Sequence, residues 1–238
     1  MKESKIPLKG GNNLTIKFHR TAPFDLGISY ICDNNVVYHF HGSSCWDDVE
    51  RMGVVNYFQY GSDDLRDTVS PVLPRKFEIL RDTGDRPIVR VVKQPDCYPL
   101  NVVEASIGQD EFDTCLMWSV SRMLKMCCVL KLASVSYGGF SPENVFVWAS
   151  GHTIFLPGGW WKSNLSPTWE DIAGDIKDVK KLAGSYFSGG AYKYVLEWCR
   201  EEPADDPFEE LRRWDVAVDE SVGTRRFVPL VIDHDSAY

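Results

Sequence analysis

"YGGFSPENVFVWASGHTIFLPGGWW", residues 137–161, decides how this chain is to be read. Asn144 stands directly before a short apolar run, "ASGH" makes a polar turn, and a second apolar run ends in Pro157, Gly158, Gly159 and two tryptophans. Two short strands joined by a turn, entered from a loop rich in glycine and proline, are expected. Glu143 is the only acid in the whole stretch.

Upstream, the chain reads as antiparallel sheet. "LTIKFH" (14–19) and "ISYIC" (28–32) are strand-like, and "DNN" turns the chain into "VVYHFH" (36–41). Residues 46–70 have spacings for one or two short helices, with Asp and Ser as starts and Pro71 and Pro74 as stops. "KFEILRDTGDRPIVRVVKQ" (76–94) is strand, turn, strand, and the two prolines of "PDCYPL" (95–100) mark a hinge where the sheet ends. Downstream, Leu116, Val120, Met123, Cys127 and Leu130 give a core helix over 112–133. Further helices are expected over 169–187, 191–203 and 206–218, then a strap and a loose end. The fold class is α+β: a sheet lobe over 1–96 and a helical lobe over 97–238, together one domain.

Composition narrows the function. The chain has 238 residues, 44% hydrophobic and 25% charged, with a formal net charge of −8. An acidic surface argues against non-specific binding of nucleic acid or anionic membrane, which both need positive charge. No run approaches the ~20 apolar residues of a membrane span, and the N-terminus lacks the apolar core of a signal peptide, so a cytoplasmic location is expected. The seven scattered cysteines read as reduced, buried thiols. His39, His41 and Cys45 cluster in "HFHGSSC", the two imidazoles on one strand face, but no fourth ligand is visible and no metal is expected.

A small sheet, a hinge, a long helix, a loop, two short strands and more helices follow the order of the protein-kinase-like fold. "YGGFSPENVFV" resembles that family's H-G-D-x-x-P-x-N catalytic loop, and "GHTIFLPGG" falls where the strand leading to its D-F-G motif lies. "DVKKLAGSYFSGG" (178–190) is similar to the helix after the activation segment, which implies that Asp178 braces the loop backbone. "HTIFLPGGWW" together with the late "VGTRRFVPL" resembles degenerate kinase-like domains of phage and cyanobacterial proteins that carry a DnaJ-type chaperone label. That label does not transfer, because the chain has no His-Pro-Asp tripeptide.

Phosphoryl transfer needs a base, a metal-binding carboxylate, a lysine on the phosphates and a loop covering them. Aligned on Asn144, the base position is Gly139 and the preceding histidine position is Tyr137. The metal carboxylate falls at Pro157 or Gly158. The third strand offers Tyr38, His39 and His41 but no lysine, and "RTAPFDLGIS" supplies only Gly27 for the cover. Asn144 survives, and local backbone bonding is its expected role. Asn144, Glu143, Gln94, Asp96 and Cys97 are the expected cleft residues, with a nucleotide as an optional ligand of the hinge backbone. The resemblance thus implies a catalytically inactive binding or regulatory module with a protein partner and no required cofactor. The alternative is an atypical phosphotransferase recruiting Glu143, Asp171, Asp175 or Asp110. A third reading, an α+β protein with a purely structural role, is separated from both by strand content after residue 140. Trp160 and Trp161 are expected to pack against the helical lobe.

Overall fold

A computed structural model describes residues 1–58, 60–223 and 229–232. Alternation of apolar and polar residues builds its first half. Strands β1 (Lys2–Pro7) and β2 (Asn13–Phe18) form an antiparallel hairpin. Strands β3 (Arg20–Phe24), β4 (Gly27–Ile31), β5 (Asn35–Phe40), β6 (Phe77–Arg81) and β7 (Pro87–Val92) form an antiparallel sheet in the order β3-β4-β5-β7-β6. On β5, Val36, Tyr38 and Phe40 enter the main core, while Val37 joins Ile6, Ile16, Phe18 and Ile88 in a second cluster beneath the hairpin. Both faces are therefore committed. A one-residue slip would turn Tyr38 out and His39 in.

Strands β1 and β3 go beyond the sequence expectation. β1 buries only Ile6 among polar residues, so no alternation marks it, and β3 carries Pro23, which a strand tolerates at a sheet edge, where β3 lies. The imidazole of His39, on the face away from the main core, bonds Asp82 at 2.9 Å. Buried Asp82 also accepts from the Gly84 and Arg86 backbone N–H groups, both at 2.9 Å, and so closes the turn between β6 and β7. Cys45 is in the main core and His41 is exposed, so the cluster seen in sequence is dispersed. Among the described residues no group of three His, Cys, Asp or Glu side chains could hold a metal.

Between β5 and β6 lie helix α1 (Trp46–Arg51), a 3-10 turn (Met52–Tyr57), helix α2 (Asp63–Val69) and a 3-10 turn (Ser70–Val72). The five-stranded sheet ends at β7, as expected, and the hinge opens a separate three-stranded sheet. The hinge contributes β8 (Cys97–Pro99), which pairs with β9 (Phe146–Trp148), itself paired with β10 (Thr153–Phe155). A three-residue strand between prolines is too short to carry a periodic signal. Helix α3 (Leu100–Ser106), also unexpected, leads to α4 (Gln109–Leu132), α5 (Trp169–Tyr186), α6 (Lys193–Arg200) and α7 (Pro207–Val222). α5 opens on a capping box made by Thr168 and Asp171, and α7 on Asp206 followed by Pro207.

Helix α4 packs against α5 and α7. A fully buried ion pair, Lys180 with Glu210 at 2.7 Å, joins α5 to α7. Among the described residues the strands after residue 140 are β9 and β10, which the kinase-like reading requires. None of the described helices is long and apolar enough to cross a membrane. The expected strap falls partly outside the described residues, which exclude 224–228 and 233–238. Leu230 and Ile232 pack against the main core.

Candidate functional site

Three side-chain hydrogen bonds hold the loop Tyr137–Asn144, one from within it and two to α5. Asn144 Nδ2 donates to the Gly139 carbonyl at 3.1 Å, the local role expected of it. The backbone N–H groups of Tyr137 and Gly138 donate to the two carboxylate oxygens of Asp175, at 2.8 and 2.6 Å. The bracing aspartate is therefore Asp175, where the sequence pointed to Asp178. The two are three residues apart on α5 and lie on neighbouring faces, so tertiary contact alone decides between them. Asp178 is half-buried beside Lys162 and Lys181. Burial pushes the Asp175 carboxyl up to about 7 against the pull of its two N–H donors.

Two tyrosines occupy the centre. Tyr137 Oη donates to the Gly158 carbonyl at 2.6 Å, and its ring packs on Phe140 and Trp160. A Cβ on Gly139 would lie 2.7 Å from Tyr137 Cζ and 2.9 Å from Gly159 Cα. Tyr38, on β5, comes down from the sheet onto Gly158, where a Cβ would lie 2.4 Å from its Oη and 2.6 Å from its Cζ. At Gly139 and at Gly158, one of the two positions expected for the missing metal carboxylate, an aromatic ring thus fills the space a side chain would need. Neither ring ionises readily, because burial raises both phenol pKa values. The Tyr38 hydroxyl has no partner among the described residues.

Phe24 and Trp161 complete the filling. Ring centroids of Trp161 lie 4.8 Å from Phe24, 5.2 Å from Tyr38 and 5.7 Å from Phe40. Trp161 therefore packs against the sheet, contrary to expectation, while Trp160 packs on Tyr137 and Phe58. Asp25, at the tip of the β3–β4 turn, pairs with Lys162 at 3.0 Å and accepts from Trp161 Nε1 at 3.4 Å. Arg51 of α1 donates to the Trp161 carbonyl at 3.3 Å. The turn that would cover phosphates is thus pinned onto the segment after β10.

The expected cleft residues do not converge. Asn144 is buried in the loop and Glu143 beside it is exposed. Asp96 accepts from the Ser150 N–H at 2.8 Å and fastens the β9–β10 turn to the hinge. Gln94 and Cys97 line a separate cavity with Trp148 and Phe155, and burial raises the Cys97 thiol pKa. Pro157 is buried without an oxygen ligand on its side chain. Of the alternative acids, Asp171 and Asp175 line a cleft of about 700 Å³ with Glu170, Asp178, Arg51 and Lys162. Asp171 is engaged by the Thr168 N–H at 2.8 Å and Asp175 by the loop, while Asp110 stands exposed in the first turn of α4.

Sequence reasoning missed Phe24 and Asp25, and did not place Tyr38 over Gly158. The inward parity of Val36, Tyr38 and Phe40 was the available signal. Contacts 120 or so residues apart along the chain carry none.

No protein-family model matches the sequence, and no curated protein does. Solved structures do match. The chain is similar to a Toxoplasma gondii specific rhoptry antigen kinase domain, with 8% identity and a TM-score of 0.56 over 92% of this chain and 86% of that one. It is also similar to vaccinia related kinase 3, with 9% identity and a TM-score of 0.53 over 91% and 90%. A rhoptry kinase from Toxoplasma gondii matches with 10% identity and a TM-score of 0.54 over 92% and 83%. At these identities the likeness establishes a protein-kinase-like fold.

Proposed function

We propose that this chain is a catalytically inactive kinase-like module, a pseudokinase, that acts by binding a protein partner. The observation that carries the reading is Tyr38 seated on Gly158. Where a kinase brings a lysine and a metal-binding carboxylate together, this chain brings a neutral phenol and a glycine. Gly139 leaves the loop without a base, which elsewhere contributes about 10²–10⁴-fold. The degenerate loop and the strands after it favour a relationship to the kinase-like domains of phage and cyanobacterial proteins. Its net charge of −8 favours a protein partner over nucleic acid or membrane. A base resting on the hinge backbone is compatible with this reading, and a metal-bound triphosphate is not.

The test is transfer of labelled phosphate from ATP, with magnesium or manganese, to the chain itself and to generic protein substrates. No transfer is expected, and any nucleotide-induced rise in melting temperature should be the same with and without magnesium. Gly139→Asp should be equally silent, since the added Cβ meets the Tyr137 ring and no metal ligand is restored. Robust metal-dependent transfer by the unaltered chain would instead favour the atypical phosphotransferase, with the carboxylates around the 700 Å³ cleft as its machinery.

A further inference from the structure

Behind the hinge lies a cavity of about 570 Å³ that none of the aromatic residues around Gly158 lines. Its walls come from the 3-10 turn after α2, the end of β7, the hinge, and the ends of β9 and β10. The apolar part is Leu73, Val92, Trp148 and Phe155. Val92 is 70% exposed, a large aliphatic side chain left in water inside a concavity. That volume is in the range of ligand pockets, about 300–1,000 Å³.

The polar part is one-signed. Arg75 and Lys76 stand at the cavity, both exposed, and neither enters an ion pair among the described residues. Lys93 lines it from within, 5% exposed, and its ammonium donates to the Asp33 carbonyl at 2.7 Å and the Gln94 carbonyl at 3.2 Å. Asp33 and Asp96 act on Lys93 at longer range, but no carboxylate forms an ion pair with it among the described residues. In a chain of net charge −8, three neighbouring cations with no acid partner among the described residues create a local positive field. Low-dielectric walls concentrate such a field on whatever enters the cavity.

We infer that this cavity is a binding site for a small amphiphilic anion: an apolar, flat body laid on Val92, Trp148 and Phe155, with a carboxylate, sulfonate or phosphate head toward Arg75 and Lys76. The site shares no lining residue with the 700 Å³ cleft around Asp171 and Asp175 and does not depend on whether the chain is catalytic. Arginine suits the head because its planar fork can donate two parallel hydrogen bonds to an oxyanion. Lys93, its donors directed to backbone carbonyls, supplies charge and shape without needing to move.

The probe is 8-anilinonaphthalene-1-sulfonate, with the uncharged N-phenyl-1-naphthylamine as its partner, titrated against the full chain by fluorescence and checked by thermal shift. One sulfonate per chain is expected, binding more tightly than the neutral analogue. Arg75→Glu with Lys76→Glu, both exposed and free of packing roles, should weaken the sulfonate by on the order of tenfold or more and leave the neutral compound unchanged. Val92→Asp, at a 70% exposed strand position, should weaken both. A sulfonate affinity unchanged by the double charge reversal in a variant of normal melting temperature overturns the proposal. So does equal binding of the charged and uncharged probes, or the absence of saturable binding.

Discussion

A single methyl group on Gly158 tests the packing that replaces the metal site. In Gly158→Ala the new carbon would sit 2.4 Å from Tyr38 Oη, 2.6 Å from Cζ and 2.9 Å from Cε1. Carbon pairs are comfortable at about 3.5–4.0 Å, so the ring would have to withdraw by about 1 Å. It has nowhere to go, since Phe24 and Trp161 pack at 5.6 and 5.2 Å between centroids. Overpacking of this kind costs about 1–3 kcal/mol, partly offset by the reduced freedom of alanine in the unfolded chain, about 0.4–1 kcal/mol. The expected net loss is about 1–2 kcal/mol, which for a chain of this size lowers the melting temperature by roughly 2–8 °C. Tyr38→Ala alone leaves a cavity and costs about 3–5 kcal/mol, as large aromatic truncations do. Combined with it, Gly158→Ala should cost nothing further, giving a favourable coupling of about 1–2 kcal/mol in a double-mutant cycle. Urea denaturation of the four proteins measures this. An undiminished stability of Gly158→Ala, or strict additivity of the pair, would refute the placement of Tyr38 on Gly158.

Three further perturbations probe the rest of the site and its supports. Asp175→Asn should cost about 1–3 kcal/mol, because one N–H of the loop would face an amide NH₂ in place of an oxygen. The folded Asp175 carboxyl is raised to about 7 from the ordinary carboxylate range, so the folded chain holds a proton there that the unfolded chain has released. Stability should therefore fall as pH rises from about 4 to about 7 and level off above, a slope contributed by this group that denaturation of Asp175→Asn across the same range should lack. Trp161→Ala should cost about 3–5 kcal/mol. Lys162→Ala, which breaks a pair with both partners 42–50% exposed, should cost at most about 1 kcal/mol, so calorimetry should rank the ring far above the ion pair as the clamp on the β3–β4 turn. Lys180→Met should lose about 3–5 kcal/mol by stranding Glu210, and adding Glu210→Leu should recover most of it, as urea midpoints would reveal.

Much of the architecture was written locally. The alternation on β4, β5 and β7, the turn "DTGDR" closed by Asp82, the long apolar pattern of α4 and the caps of α5 and α7 all act over a few residues. Short-range pattern is what a sequence displays. β8 and α3 were hidden because a three-residue strand and a two-turn helix give no periodicity to read. The dispersal of His39, His41 and Cys45 shows the same limit: parity put the two imidazoles on one face, but the end of β5 left His41 in solvent.

That the loop at 137–144 has no proton acceptor at Gly139, and that Pro157 and Gly158 cannot ligate a metal, is legible without coordinates, because a missing side chain is visible in a string of letters. Why positions 139 and 158 are glycine is visible only in the packed molecule. Tyr137 reaches Gly158 across 21 residues and Tyr38 across 120, and such contacts are set by how two sheets and a helix pack. Tertiary packing likewise assigned the loop's brace to Asp175 over Asp178, since two carboxylates one helical turn apart are equivalent until something packs against one of them.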